Sequence, residues 1–182
     1  LTADAQGEFE STTFCRGKGN KIQFLKRINY PHSLGALYST FTEYLGFRPN
    51  SDEWKVMALA SYGKRNNVEY KKFKKILQLQ PNGLFEFDLS YFNYHLHDKE
   101  ELYAPKMCSL FGEPRKPDDA ITKRHQEIAA ALQQITEEVL VHMLTILAKE
   151  TKQKNLVVSG GVFMNSVFNG KVAALTPFKN VF

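Results

Sequence analysis

Beyond Asp118, the apolar residues Ile128, Leu132, Ile135, Val139, Met143 and Ile146 recur at steps of three and four. That spacing lays one stripe along a helix of 3.6 residues per turn and predicts a long amphipathic helix reaching about Thr151. Asp118 and Asp119 stand at its predicted start, where carboxylates suit the positive end of the helix dipole, and they read as caps. A second stripe, Leu34, Leu37, Tyr38, Phe41, Tyr44 and Leu45, predicts a helix opened by His32 or Ser33 and stopped by Gly46. Asn50 or Ser51 can cap a short helix through about Leu59, and a third runs from about Val68 to Leu79.

Residues 1–30 alternate in part. "LTAD", "FESTTFCR" and "KIQFLKRINY", joined by "AQG" and "GKGN", predict a three-stranded meander. The segment from Pro81 to Pro117 is irregular and aromatic, with a turn, one strand and a short helix. After the long helix, "NLVVS" predicts a short buried strand running into Gly160-Gly161. A helix to about Leu175 and a further strand in "KNVF" follow. Meander, helices, then strand–helix–strand is an α/β arrangement with helices covering a mixed sheet.

The chain of 182 residues is 43% hydrophobic, 24% charged and 13% aromatic, which is globular composition. No apolar run approaches the length a membrane span needs, and no secretory signal opens the chain; a membrane partner is not expected. Cys15 and Cys108 lack any CxxC pairing and read as reduced thiols of a cytoplasmic protein. A formal charge of +5 makes the chain basic. Much of it sits in "YKKFKKIL", where helical spacing turns Phe73, Ile76 and Leu77 inward and most of the lysines outward, so a solvated face is expected rather than a nucleic-acid surface.

The chemistry-bearing candidates concentrate in "NLVVSGGVFMNSVFNG". A strand ending in two glycines and a helix presents free N–H groups and a positive dipole, and Gly160 and Gly161 lack the Cβ that would hold a ligand off. Asn165 lies about one turn in, with Asn169 on the same face. A packing turn, in which the glycines serve only to seat the helix on its strand, accounts for the same residues. Elsewhere, His95, His97, Asp98 and Cys108 are too scattered for a metal set and read as surface or packing residues. His142 reads as a helix-flank residue and His32 as a cap. The two cysteines have no base partner. Trp54, Tyr44 and Phe47 read as core before stacking surfaces.

Several segments together resemble the O-carbamoyltransferases, the family of the nodulation-factor, cephamycin and tobramycin carbamoylating enzymes. They are "YPHSLGALYSTFTEYLGFRPNSDEWKVMALASYG", "LTADAQGE", "RHQEIAAALQQITEEVLVHML" and "NLVVSGGVFMNSVFNGKV", in the family's order over more than half the chain. The resemblance implies an actin-like ATPase (ribonuclease H-like) α/β fold, incomplete at both ends. It divides into a meander (1–30), a helical and irregular part (31–117) and a nucleotide part (118–182). It implies transfer of a carbamoyl group from carbamoyl-adenylate, made from carbamoyl phosphate and ATP by an adenylate-forming domain of the same parent chain, to a hydroxyl of a small-molecule acceptor. A related actin-like ATPase of tRNA threonylcarbamoylation or sugar-kinase type, or a docking module of the same fold, are the alternatives.

By the same resemblance, Asp4, Gly7 and Glu8 fall on the family's phosphate turn. Glu53 and Lys55 fall on a ribose-binding helix, and Gly160, Gly161 and Asn165 on the loop closing around adenosine. The family's divalent metal would take its ligands from outside these residues, so the chain is expected to be an internal piece without activity of its own. Ala5, Asp52, Ala58 and Ser61 depart from the pattern; Ala5, Asp52 and Ala58 stand where the family has glycine and Ser61 where it has proline.

Overall fold

The computed structural model describes residues 1–182. Along the chain, β1 (Thr2–Ala3), β2 (Glu10–Lys18) and β3 (Lys21–Asn29) come first, then α1 (Leu34–Tyr44), α2 (Glu53–Leu59) and α3 (Val68–Ile76). A hairpin of β4 (Leu77–Leu79) and β5 (Phe85–Phe87) follows, then α4 (Pro105–Phe111) and the long α5 (Lys123–Thr151). The chain closes with β6 (Asn155–Leu156), the short helices α6 (Ser166–Asn169) and α7 (Val172–Leu175), and β7 (Asn180–Val181). The residues cluster into two compact units. One comprises Leu1–Gly35, Leu79–Glu86 and Glu137–Phe182, and the other Ala36–Gln78 and Phe87–Thr136.

In the first unit the expected meander is present, antiparallel in the order β1-β2-β3, with Thr2 opposite Thr13 and Cys15 opposite Phe24. A parallel bridge from Thr2 to Ser159 and the parallel pairing of β6 with β7 extend it into a mixed sheet. Ala3, Phe14, Ile28 and Leu156 are buried in this unit, as are Met143 and Leu147 of α5. The "NLVVS" strand is not buried throughout: Leu156 is, but Val157 is exposed. Nor does one helix follow the glycines. A four-residue 3-10 turn, Gly161–Met164, and two four-residue helices replace it. Asn165, at φ −69° and ψ 88°, leaves the helical region between the 3-10 turn and α6 and caps the latter.

In the second unit an aromatic cluster forms the core. Phe41 lies 4.5 Å from Phe73 and 5.1 Å from Phe111 between ring centroids, and Tyr44 packs at its side. Such tilted and edge-on pairs add to the burial of apolar area. Arg115 is buried and donates to the carbonyls of Leu45, Gly46, Pro117 and Asp119, which ties the loop before α5 to the end of α1.

Boundaries differ from expectation for local reasons. Asp52, not Asn50 or Ser51, stands at the start of α2; Asn50 instead takes a left-handed backbone with φ 59°. The third helix ends at Ile76 because Leu77 turns extended and enters β4. The long helix starts at Lys123, so Asp118 and Asp119 are not its caps. Thr122 and His125 are paired there, with the ring Nδ1 accepting from the Thr122 N–H at 3.0 Å. All residues from Ile128 to Glu137 are buried, so this stretch is enclosed on every face rather than amphipathic. Its polar members have partners: Gln133 accepts from the Tyr38 hydroxyl, and Gln134 exchanges hydrogen bonds with Asn66.

Candidate functional site

The first unit brings two predicted regions together. Ala3 donates to the Ser159 carbonyl at 3.0 Å, so the chain leaving β1 through Asp4 runs beside the chain entering Gly160. Gly160 has φ +102°, and a Cβ there would meet the Ala3 carbonyl oxygen at 2.2 Å. Its glycine identity is therefore required by packing of the chain on itself, as the packing reading of the turn has it. Gly161 is different. It is exposed, and a Cβ there would lie 3.1 Å from Asp4 Oδ1. As the first residue of a 3-10 turn, its N–H has no acceptor within that turn.

The Asp4 turn is held from below. Asp4 Oδ1 accepts from the Ala5 N–H at 2.8 Å, and the Ser33 hydroxyl reaches the carbonyls of Asp4 (2.9 Å) and Ala5 (2.7 Å). A Cβ on Gly35 would meet the Ala5 nitrogen at 2.5 Å, so the first turn of α1 sits directly on this bend. Ser33 and Gly35 are the residues the sequence reading missed here. Their signal, a serine and a glycine at a helix start, is indistinguishable from ordinary capping. Gly7 closes a tight turn in which a Cβ would meet the Glu10 carbonyl at 2.5 Å, and Glu8 is exposed beside it.

The two asparagines bond their own chain. Asn165 Oδ1 accepts from the Phe168 N–H at 3.0 Å and caps α6; Asn169 Nδ2 donates to the Phe163 carbonyl at 2.6 Å. Lys171 follows, paired at 2.7 Å with Glu137, whose carboxylate is buried in the middle of α5. Four-residue helices carry little dipole, so the anion-attracting helix tip expected at Gly160-Gly161 is absent; what remains is bare backbone beside a carboxylate.

In the second unit, Glu53 and Lys55 form part of a compact turn. Glu53 Oε1 accepts from the Asn50 N–H (2.6 Å) and the Ser39 hydroxyl (2.8 Å). Lys55 pairs with Asp52 at 3.0 Å and lies 5.5 Å from the centre of the Trp54 ring. The Lys55 ammonium and the Arg48 N–H hold the Asp52 carboxyl below its ordinary range. Trp54 is 61% exposed, which corrects its assignment to the core; Tyr44, at 1%, is core as expected. Phe47 is half-buried beneath the Arg115 guanidinium, 4.9 Å from its ring.

His142 Nε2 lies 2.8 Å from the Gln80 carbonyl, and His95 packs edge-on against Tyr94. Burial pushes the Cys108 thiol up, with the Glu113 charge adding to it, opposite to what a nucleophile needs. No group of three or more His, Cys, Asp or Glu side chains converges on a metal-sized site. No helix is long and apolar enough to cross a membrane.

An uncharacterised protein of Synechocystis sp. is 38% identical over the whole chain, which covers 29% of that protein. One from Methanocaldococcus jannaschii is 34% identical over 82% of the chain and 22% of its own length. Nodulation protein NolNO of Sinorhizobium fredii is 30% identical over the whole chain and 25% of its length. The chain thus spans less than a third of each of these relatives. The family described as Carbamoyltransferase N-terminus matches residues 1–182. On that match over its full length, the chain belongs to the carbamoyltransferase N-terminus family.

Proposed function

We propose that this chain forms part of the nucleotide cleft of a carbamoyltransferase of actin-like fold, one that moves a carbamoyl group from carbamoyl-adenylate to a hydroxyl of a small-molecule acceptor. The observation that carries the reading is the apposition of Asp4 and Gly161, two positions far apart in sequence that the resemblance assigns to one nucleotide. Family membership supports the carbamoyl chemistry, and the shared order of motifs supports the rest.

The residues fit a nucleotide phosphate in a specific way. Gly161 leaves main chain open to close approach, and its N–H points to no acceptor of its own turn. Asp4 contributes a hard oxygen that repels a bare phosphate and suits a phosphate-bound divalent cation. When bound, the adenylate supplies an activated carbamoyl group on a good leaving group. The chain's own part is to hold that group near the acceptor hydroxyl, with Ser33 and Gly35 keeping the Asp4 bend in register. Asn165, through the α6 cap, sets the loop rather than gripping the base.

The test uses a non-hydrolysable ATP analogue with magnesium. The amides of Gly160, Gly161 and Asn165 are expected to shift together with that of Asp4, and Asp4→Asn to weaken binding several-fold. In the longer protein, carbamoyl phosphate and ATP together should drive carbamoyl transfer. Saturating analogue that leaves these amides unmoved in a folded sample overturns the cleft assignment. Turnover without carbamoyl phosphate points instead to the tRNA-modifying or sugar-kinase reading.

A further inference from the structure

The turn that carries Gly161 is tied to the rest of the first unit at two ends. At one end, Ala3 of β1 donates to the Ser159 carbonyl and leaves no room for a side chain at Gly160. At the other stands Lys171, between α6 and α7, whose Nζ lies 2.7 Å from Glu137 Oε1 of α5 in the same unit. The two side chains are unequal: that of Glu137 is 4% exposed and that of Lys171 41%. A carboxylate withdrawn from water needs a well-placed cation, and here the cation comes from 34 residues along the chain.

We propose that Lys171 and Glu137 are positioning residues for the glycine turn: their pair sets where Gly161 lies against Asp4 and, resting on the nucleotide-cleft reading above, how well that corner takes a nucleotide phosphate. Three observations support this. First, the segment between Gly160 and Lys171 is braced throughout. The Phe163 N–H donates to the Gly160 carbonyl at 3.0 Å, Asn169 Nδ2 to the Phe163 carbonyl at 2.6 Å, and the Lys171 N–H to the Phe168 carbonyl at 2.8 Å. The 3-10 turn, α6 and the Lys171 main chain therefore move as one body. Second, Phe163 and Phe168 are buried, but apolar burial has no preferred direction, whereas an ammonium on a carboxylate at hydrogen-bond distance has one. Third, the corner has little tolerance. A Cβ on Gly160 would meet the Ala3 oxygen at 2.2 Å and one on Gly161 would lie 3.1 Å from Asp4 Oδ1, so a small displacement of the body changes what fits there.

A pair that served stability alone would behave differently. Removing one partner of a buried ion pair strands the other charge, which is strongly destabilising, whereas exchanging both for apolar side chains of similar volume is often neutral or stabilising. The double exchange therefore separates the two roles. It restores stability without restoring the direction that the charges impose on the turn.

The experiment compares the natural chain with Lys171→Arg, Lys171→Met, and Lys171→Met combined with Glu137→Met. Three quantities are read: the urea midpoint, amide hydrogen exchange at Phe163 and Ala3 without ligand, and the Kd of the magnesium-bound non-hydrolysable ATP analogue. Lys171→Arg keeps a cation on Glu137 and should match the natural chain in all three. Lys171→Met should lower the midpoint, and the double variant should recover it. Even so, Phe163 in the double variant should exchange about tenfold faster than in the natural chain, with Ala3 unchanged. Its analogue affinity should fall about fivefold, because the receptive position of the turn is less populated. Phe163 exchange that recovers together with the midpoint overturns the proposal, and so does equal analogue affinity in the natural chain and the double variant. Should Glu137→Met unfold the chain, the ratio of Phe163 to Ala3 exchange in Lys171→Met is read in its place, and a ratio equal to that of the natural chain overturns the proposal. A natural chain that binds no analogue defeats the cleft reading instead, and Phe163 exchange alone then decides whether the pair positions the turn.

Discussion

The Asp4–Gly161 corner and the Asp52–Lys55 turn are both rich in residue types suited to a nucleotide, yet they are built in opposite ways. At the corner, main chain approaches main chain: Gly160 lies against Ala3, Gly35 against Ala5, and the exposed carboxylate of Asp4 has few tasks. At the turn, side chains already hold one another, with Glu53 bonded to Asn50 and Ser39 and Asp52 paired with Lys55. The corner is fixed because nothing larger than glycine fits at Gly160 and Gly35, whereas the turn is fixed because its charges are mutually satisfied. Rigidity of the first kind leaves a surface open to a ligand; rigidity of the second kind consumes the groups a ligand would use.

The largest expected effect separates the two glycines of the corner. Gly160→Ala places a Cβ 2.2 Å from the Ala3 oxygen at a left-handed φ, and should cost about 3 kcal/mol in urea unfolding. Gly161→Ala should stay within about 1 kcal/mol of the natural chain while weakening binding of the ATP analogue. Equal losses of stability would mean that the corner is only a packing turn.

Next comes the turn. Glu53→Ala removes the acceptor of the Asn50 N–H and the Ser39 hydroxyl and should cost about 1–2 kcal/mol, whereas Glu53→Gln, which keeps a carbonyl acceptor, should lose less. If Glu53→Ala leaves stability intact but abolishes analogue binding, the carboxylate belongs to the ligand and the contrast with the corner fails.

A pH scan reads a smaller effect at the start of α5. Burial, then the Arg124 and Arg115 charges, lower the His125 pKa from its ordinary 6.5 in the folded chain. The neutral ring is the form that accepts from the Thr122 N–H. The unfolded chain therefore binds the extra proton first, and stability present above about pH 6.5 declines as pH falls through that value. His125→Gln should flatten this part of the profile; an unchanged slope would assign it elsewhere.

The smallest effect concerns Lys55. Its partner Asp52 and the Trp54 ring are at the surface, so Lys55→Met should leave the unfolding midpoint unchanged within error. Any loss of analogue affinity in that variant is then a direct reading of the ribose-side assignment.

Much of the fold was legible in the chain. Apolar spacing located α1, α3 and α5, and the turns at "AQG" and "GKGN" located the meander, because amphipathic period and turn chemistry are local properties. Local rules misplaced the caps of α2 and α5, where Asp52, and Thr122 with His125, stand at the starts in place of Asn50 or Ser51 and Asp118-Asp119. They also missed the breaking of the segment after Gly161 into short helices.

Sequence by itself determined which family these residues belong to, where the strands and long helix lie, and which glycines and carboxylates were worth examining. The family follows from the order of its motifs along the chain, and the strands and helix from periodicity and turn chemistry, which act over a few residues. Tertiary structure alone decided that Gly160 serves packing while Gly161 stays open, that Asn165 and Asn169 brace their own loop, and that Asp4 meets the glycine pair. The asparagines bond within six residues, but the fates of Gly160, Gly161 and Asp4 depend on contacts between residues more than a hundred positions apart, where an ångström of main-chain approach separates a binding surface from a filled one.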